Sequence, residues 1–219
     1  MLRNLFIYIL SFAFFLSSCK DCKTTECHGN TLDLNASVSD SFQVDPEQSL
    51  VYWSGASPSG PHNGLVKMAG GELYFQGDML ISGEIRVDMR TIENLDIQEE
   101  VDRKDLESHL KDVDFFNVDT FPMSVFRITS AETSGNTLYN LKVNGSLNIK
   151  GISQNISVNG NIQKTEQRVF VSIPEFNIDR TQYNIMYQSK KILPSIKDGF
   201  IDDDISLSIK LSGIRISVN

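Results

Sequence analysis

From Phe42 onward, apolar and polar residues alternate with a period of two, the spacing that sends successive side chains to opposite faces of a strand. The last segment is the clearest: Ile205, Leu207, Ile209 and Leu211 alternate with Ser206, Ser208, Lys210 and Ser212. Past Gly213 the pattern resumes with Ile214, Ile216 and Val218. Ile81, Ile85, Val87 and Met89 alternate with Ser82, Glu84, Arg86 and Asp88, while Leu141, Val143, Leu147 and Ile149 run through Gly145, and Ile156, Val158 and Ile162 through Gly160. Single glycines inside such runs point to bulges or sharp coiling, as a closing sheet requires. Turn signals fall at Ser134-Gly135-Asn136, Lys150-Gly151 and Lys197-Asp198-Gly199.

The predicted strands are 42–44, 50–55, 65–68, 72–76, 79–89, 123–128, 137–149, 152–162, 169–177 and 205–218, a tally of eight to ten depending on how neighbouring pieces merge. One helix interrupts them: from Asp102, the residues Leu106, His109, Leu110 and Val113 follow the spacing of one helical face. Many strands with one short helix argue for an all-β, antiparallel barrel of about eight strands, wide enough to hold one small ligand and free of sheet edges. A β-sandwich is the structural alternative.

The N-terminus reads differently. Arg3 precedes an almost wholly apolar run from Leu5 to Leu16, too short for a bilayer span of about 20 residues and well suited to a signal-peptide core. Leu16-Ser17-Ser18-Cys19 looks like a lipobox, in which Cys19 becomes the lipidated first residue because its thiolate is the nucleophile that accepts the diacylglyceryl group. The expected organisation is a signal peptide over 1–18, a lipidated polar tail over 19–40 and a barrel domain over 41–219. Acylation of Cys19 leaves Cys22 and Cys27, which could close a small disulfide loop, stay free, or join His28 in a metal site that lacks a fourth ligand.

The formal charge is −8, and removing residues 1–18 takes away the single cation Arg3, leaving −9. Such a balance argues against nucleic acid and against electrostatic docking to anionic lipid, so membrane contact has to come from the anchor. The expected location is the cell envelope, lipid-anchored on the periplasmic side or at the outer membrane. Homodimerisation is left open by the sequence.

Around the helix the chain resembles a known family. His109-Leu110-Lys111, then Asp114-Phe115-Phe116, then Phe121-Pro122 and a strand ending at Phe126 resemble the central signature of the YceI family. Phe42-Gln43-Val44-Asp45 before Val51-Tyr52-Trp53, the segment Gly145–Gly151, and Ile178-Asp179-Arg180 with Tyr183 agree with it in order. The similarity runs from about Phe42 to Leu211. It implies an extended lipocalin-like barrel, exported to the envelope, that binds polyisoprenoid or similar long apolar chains such as quinones or polyprenyl compounds. Many members carry an Arg-Asp pair just before the signature histidine; here Glu107 stands two residues before His109.

An apolar chain needs an aromatic and aliphatic tunnel with few polar groups at its mouth. The candidate ligand-binding residues are Trp53, Phe75, His109, Phe115, Phe116, Phe121, Phe126, Arg180 and Tyr183, with Tyr187 beside them. Each aromatic could equally be ordinary core. His109 lies on the apolar helix face, where a hydrogen-bonded structural role competes with contact to a ligand head group. Arg180 suits phosphate, or a plain ion pair with Asp179. His62, in a Pro- and Gly-rich loop, finds no third metal ligand by spacing, and Asp202-Asp203-Asp204 reads as a solvated turn. Nucleophile elbow, P-loop and HExxH patterns are absent from the sequence, so no catalytic residue, metal or cofactor is expected. The leading expectation is a lipid-binding module; a barrel filled by its own side chains and a small envelope enzyme follow.

Overall fold

The computed structural model describes residues 38–135, 137–195 and 199–216. Cys19, Cys22 and Cys27, the expected signal segment, nearly all of the tail, residue 136 and residues 196–198 of two expected turns, and residues 217–219 lie outside the described residues. Among the described residues ten strands and one helix follow in order: β1 (Asp40–Val44), β2 (Leu50–Ser57), β3 (Gly60–Gln76), β4 (Met79–Asp88), β5 (Glu93–Asn94), α1 (Glu100–Lys111), β6 (Met123–Thr133), β7 (Leu141–Ile149), β8 (Ile152–Lys164), β9 (Arg168–Asp179) and β10 (Asp204–Ile216). Short 3-10 turns occupy Pro46–Gln48, Met89–Thr91 and Arg180–Tyr183.

Eight strands close a barrel in the order β2-β3-β4-β6-β7-β8-β9-β10, with β10 returning to β2 through Ser206–Lys210 against Leu50–Ser54. β1 continues the stave that β2 begins: both run between β3 and β10, β2 at one end of the barrel and β1 at the other. The join is a jog over residues 45–49. Pro46 fixes the first turn position and Asp45 accepts from Glu47 N–H at 3.2 Å. The fully buried Ser49 keeps the ladder intact there, donating to Ser212 O at 3.2 Å and accepting from Ser212 N–H at 3.0 Å.

Bulges set the phase of the inward face. The register of β3 against β4 steps from Met68↔Val87 to Gly70↔Arg86, which skips Ala69, and from Tyr74↔Ser82 to Phe75↔Leu80, which skips Ile81. The two predicted strands 65–68 and 72–76 are therefore one strand with a bulge, and Ile81 is a bulge residue while Leu80 takes the inward position. Of the three glycines expected to mark bulges, Gly145 stands opposite Ile128 beside the skipped Thr129, whereas Gly160 and Gly213 sit in regular register. Pro174, in the middle of β9, sits where Phe176↔Leu207 gives way to Ile173↔Ile209. Proline has no N–H for the ladder, and a bulge is where a strand can hold one.

β8 pairs with β9 only over Asn161–Lys164, so these two strands splay apart toward the helix end of the barrel. Gln154 spans the top of that gap by donating to Gln182 O at 3.1 Å. Outward positions of β8 (Ser153, Asn155, Ser157, Asn159) are exposed and polar while Val158 is buried. Apolar inside and polar outside is the reverse of a barrel that spans a bilayer.

Two apolar clusters fill the ends. One holds Phe42, Phe75, Leu80, Leu141 and Val169; the other holds Val66, Ile92, Leu110, Phe115, Tyr183 and Ile185. Among the described residues both are built from positions between Phe42 and Leu211. Helix α1 starts and stops close to its predicted limits, with Glu100 and Asp102 in the first turn and His109 and Lys111 in the last, the charge order its dipole favours. Val113 is not on its buried face: the helix has ended by then, and the side chain is 60 % exposed. Glu107 ties the helix to β5 by accepting from the N–H of the buried Asn94 at 2.9 Å.

Candidate functional site

Between the two clusters the barrel is hollow. A cavity of about 410 Å³ runs from Leu73, Leu80, Leu141 and Val143 at one end to the β2–β3 hairpin tip (Pro58, Ser59) and to Phe200 at the other. On β3 alone the lining extends from His62 to Leu73. That is about 36 Å of strand at ~3.3 Å per residue, or roughly 28 Å along the axis for a strand tilt near 40°. The wall is almost entirely aliphatic and aromatic, contributed by inward positions of every barrel strand and by Leu106, Leu110, Phe115 and Phe116 beneath α1. The reading in which Trp53, Phe115 and Phe116 plug the interior does not describe this barrel; they line the space without filling it.

Of the residues singled out from sequence, Trp53, His109, Phe115, Phe116, Phe126 and Arg180 line this one cavity. Phe75, Phe121 and Tyr183 do not. Phe75 is fully buried below the cavity, edge-on to Phe42 at 5.3 Å. Phe121 lies over Gly151, outside the barrel mouth lining. Tyr183, 2 % exposed, packs in the cluster behind the wall, where burial pushes its phenol pKa up to about 12. Tyr187 also stays off the wall, as an edge-to-face partner of His109 at 4.6 Å.

Glycines make room for two of the large rings. A Cβ on Gly64 would stand 2.6 Å from the Trp53 ring, and one on Gly145 would stand 2.4 Å from the Phe126 ring. Both glycines are thus required by close approach, and with them absent the rings would be forced inward. The Trp53 indole N–H is buried without a protein acceptor among the described residues.

The polar groups divide by role. The His109 ring makes no hydrogen bond to the described residues; it is held by packing against Tyr187 and Phe115, contrary to the expected hydrogen-bonded fastening. Arg180 is wholly buried, and each of its three nitrogens donates to a backbone carbonyl: Nε to Asp202 O at 3.0 Å, Nη1 to Ile185 O at 2.9 Å and Nη2 to Ile201 O at 2.9 Å. Its carboxylate neighbour is Asp203 at 3.4 Å, not Asp179. Burial works against its charge, and the carboxylates of Asp203, Asp179 and Asp202 work for it. Asp179 instead caps the turn through Thr181 N–H at 2.9 Å and pairs with Lys191 at 2.5 Å. Arg180 is therefore a clamp that gathers the two ends of the 185–203 loop beside the cavity mouth. The Asp202–Asp204 turn, expected to be simply solvated, supplies part of that clamp.

At the mouth, His62 lines the cavity and its Nδ1 lies 2.8 Å from Asp96 Oδ2. Asp96 also accepts from Asn63 N–H at 2.8 Å and Asn94 Nδ2 at 2.7 Å. Burial raises the Asp96 pKa, but these hydrogen bonds outweigh it and hold the carboxyl below its ordinary range. Among the described residues no group of three His, Cys, Asp or Glu is placed to hold a metal ion.

Several wall residues escaped the sequence reading. Phe176 and Ile178 lie inward, as do Val171 and Ile173, although the two pairs are out of phase. The bulge at Pro174 makes the switch, and that proline was the available signal. Phe200 and Gln188 belong to a loop with no periodicity, so no sequence pattern pointed to them.

A closed antiparallel barrel of eight strands with two accessory strands, a polar outside and a hollow apolar inside defines a lipocalin-like protein. Within that class the chain belongs to the YceI-like domain family, matched over residues 42–212. Solved structures agree in fold. BcnA of Burkholderia cenocepacia superposes with a TM-score of 0.61 at 17% identity, covering 77% of this chain and 98% of that one. A polyisoprenoid-binding domain from Saccharophagus degradans, implicated in plant cell wall breakdown, gives 0.57 at 12% identity, covering 80% and 98%. A mutant YCEI protein of Campylobacter jejuni gives 0.50 at 19% identity, covering 66% and 80%. No curated protein matches the sequence.

Proposed function

We propose that this protein is an envelope lipoprotein that binds or carries a long apolar lipid of isoprenoid type, such as a quinone or polyprenyl compound, in its barrel. The observation that carries the reading is the cavity itself: narrow, about 28 Å long by the strand estimate above, apolar along its walls and blind at one end. Such a space suits a flexible hydrocarbon chain, whose burial is worth about 0.8 kcal/mol per CH₂ without any specific polar contact. Membership of the YceI-like family and likeness to a polyisoprenoid-binding domain support the same ligand class.

The chain's single Trp, Trp53, reports on the wall. Titration with a prenylated quinone should quench its fluorescence to saturation at one ligand per barrel. Phe116→Glu, which sets a charge in the wall, should weaken binding by at least tenfold while leaving the β-sheet circular dichroism unchanged. Unsaturable, weak quenching in the native protein would refute the carrier reading. The anchor is tested separately: Cys19→Ala should move the protein from the membrane to the soluble fraction, and an unchanged membrane association would refute lipidation at that residue.

A further inference from the structure

The cavity has a mouth and a blind end, and the blind end is built unlike the rest of its wall. Leu73, Leu80 and Leu141 are its deepest lining residues. Directly beyond them come Phe42 and Phe75, both 0 % exposed and in edge-to-face contact at 5.3 Å, with Val169 also 0 % exposed beside them. None of these three touches the cavity. Behind the rings lies a charged seal. Lys164 Nζ stands 5.4 Å over the Phe75 ring and donates to Asp40 at 2.7 Å and to Gly77 O at 2.6 Å, while Arg215 pairs with the other Asp40 oxygen. Asp40 is itself 8 % exposed, and β1, which carries it, is hydrogen-bonded on both edges, to β10 and to β3. The mouth is the opposite kind of structure, a hairpin tip and a loop held by one arginine.

A chain entering at the mouth thus meets a wall that can yield at one end only. Moving Phe75 would break an aromatic pair, a cation–π contact and the packing beneath a buried ion pair together. We propose that the Phe42–Phe75 pair is a floor that sets the longest isoprenoid-type chain the barrel can bury completely. The inference rests on the carrier reading and adds a length limit to it. Units beyond the limit stay outside the mouth, in water, and contribute little to affinity.

The test is a dissociation constant for each member of a series of linear prenyl alcohols of increasing length, measured with the chain from residue 20 by calorimetry or Trp53 fluorescence. With up to about fourfold in affinity per buried carbon, each five-carbon isoprene unit should tighten binding by between about tenfold and a thousandfold up to a break. Past the break each added unit should change it by less than about twofold. Phe75→Leu, which lowers the floor, should move the break to longer chains. Val143→Phe, which adds bulk at the deep wall without touching the floor pair, should move it to shorter ones, and it serves as the decisive variant if Phe75→Leu fails to fold. Affinity that keeps climbing with length, or a break that stays put in the folded variants, would overturn the floor while leaving the carrier reading standing. Failure of every chain to bind would overturn the carrier reading and the floor with it.

Discussion

Tyr183 and Arg180 show how burial rewrites what a residue type suggests. In the sequence both read as ligand contacts: an aromatic for the chain, a guanidinium for a head group. In the fold, Tyr183 stands behind the wall with its phenol pKa pushed up to about 12 from 10.0. A raised tyrosine pKa means that the neutral form is favoured in the folded protein. Its stabilising contribution is complete below pH 10 and is lost as pH rises from about 10 to 12, an effect of about 3 kcal/mol. Thermal melting from pH 9 to 12 should therefore fall more steeply for the native protein than for Tyr183→Phe; equal slopes would contradict the burial account. Arg180→Met removes the donors to three carbonyls and leaves Asp203 without its cation, so unfolding in urea should show a loss of about 3–5 kcal/mol. Lysine should not restore it, because an ammonium cannot reach three carbonyls in the geometry of a planar fork. Such roles were not legible in sequence, since the partners of Arg180 lie as far along the chain as Asp203.

At the level of elements, alternation carried most of the fold. The β10 pattern from Ile205 to Leu211 is the observed strand, and the helix face Leu106–His109–Leu110 meets the cavity as its spacing implied. What alternation could not convey was its own interruption. Each bulge shifts the inward phase by one residue, so Ile81 lost its inward place to Leu80 and Phe176 fell out of step with Ile173. A bulge is fixed by pairing with the neighbouring strand, and sequence marks it only indirectly, through a mid-strand proline or glycine. Gly145 is one such exacting position. Gly145→Val would press a side chain into the Phe126 ring, costing about 1–3 kcal/mol, and should lower the melting temperature by roughly 3–9 °C. It should also displace that ring into the cavity and weaken chain binding; a variant that melts and binds like the parent would show that the glycine is dispensable.

The whole molecule brings into one wall residues that the sequence keeps far apart: the hollow interior is lined from all eight strands of the closed barrel. The class of fold was legible because a period of two over many short runs leaves few architectures. The hollowness was not. Whether Trp53, Phe115 and Phe116 fill a barrel or line it depends on how far apart opposite walls stand, which no local pattern encodes. Since the cavity is the central claim, its content is the most direct test. The measurement is native mass spectrometry, with organic extraction, on the chain purified from a bacterial envelope fraction without added detergent. The account predicts one isoprenoid-type lipid per barrel, lost in a folded Phe116→Glu variant. A clean apo mass that takes up no quinone or polyprenyl compound on titration would contradict it.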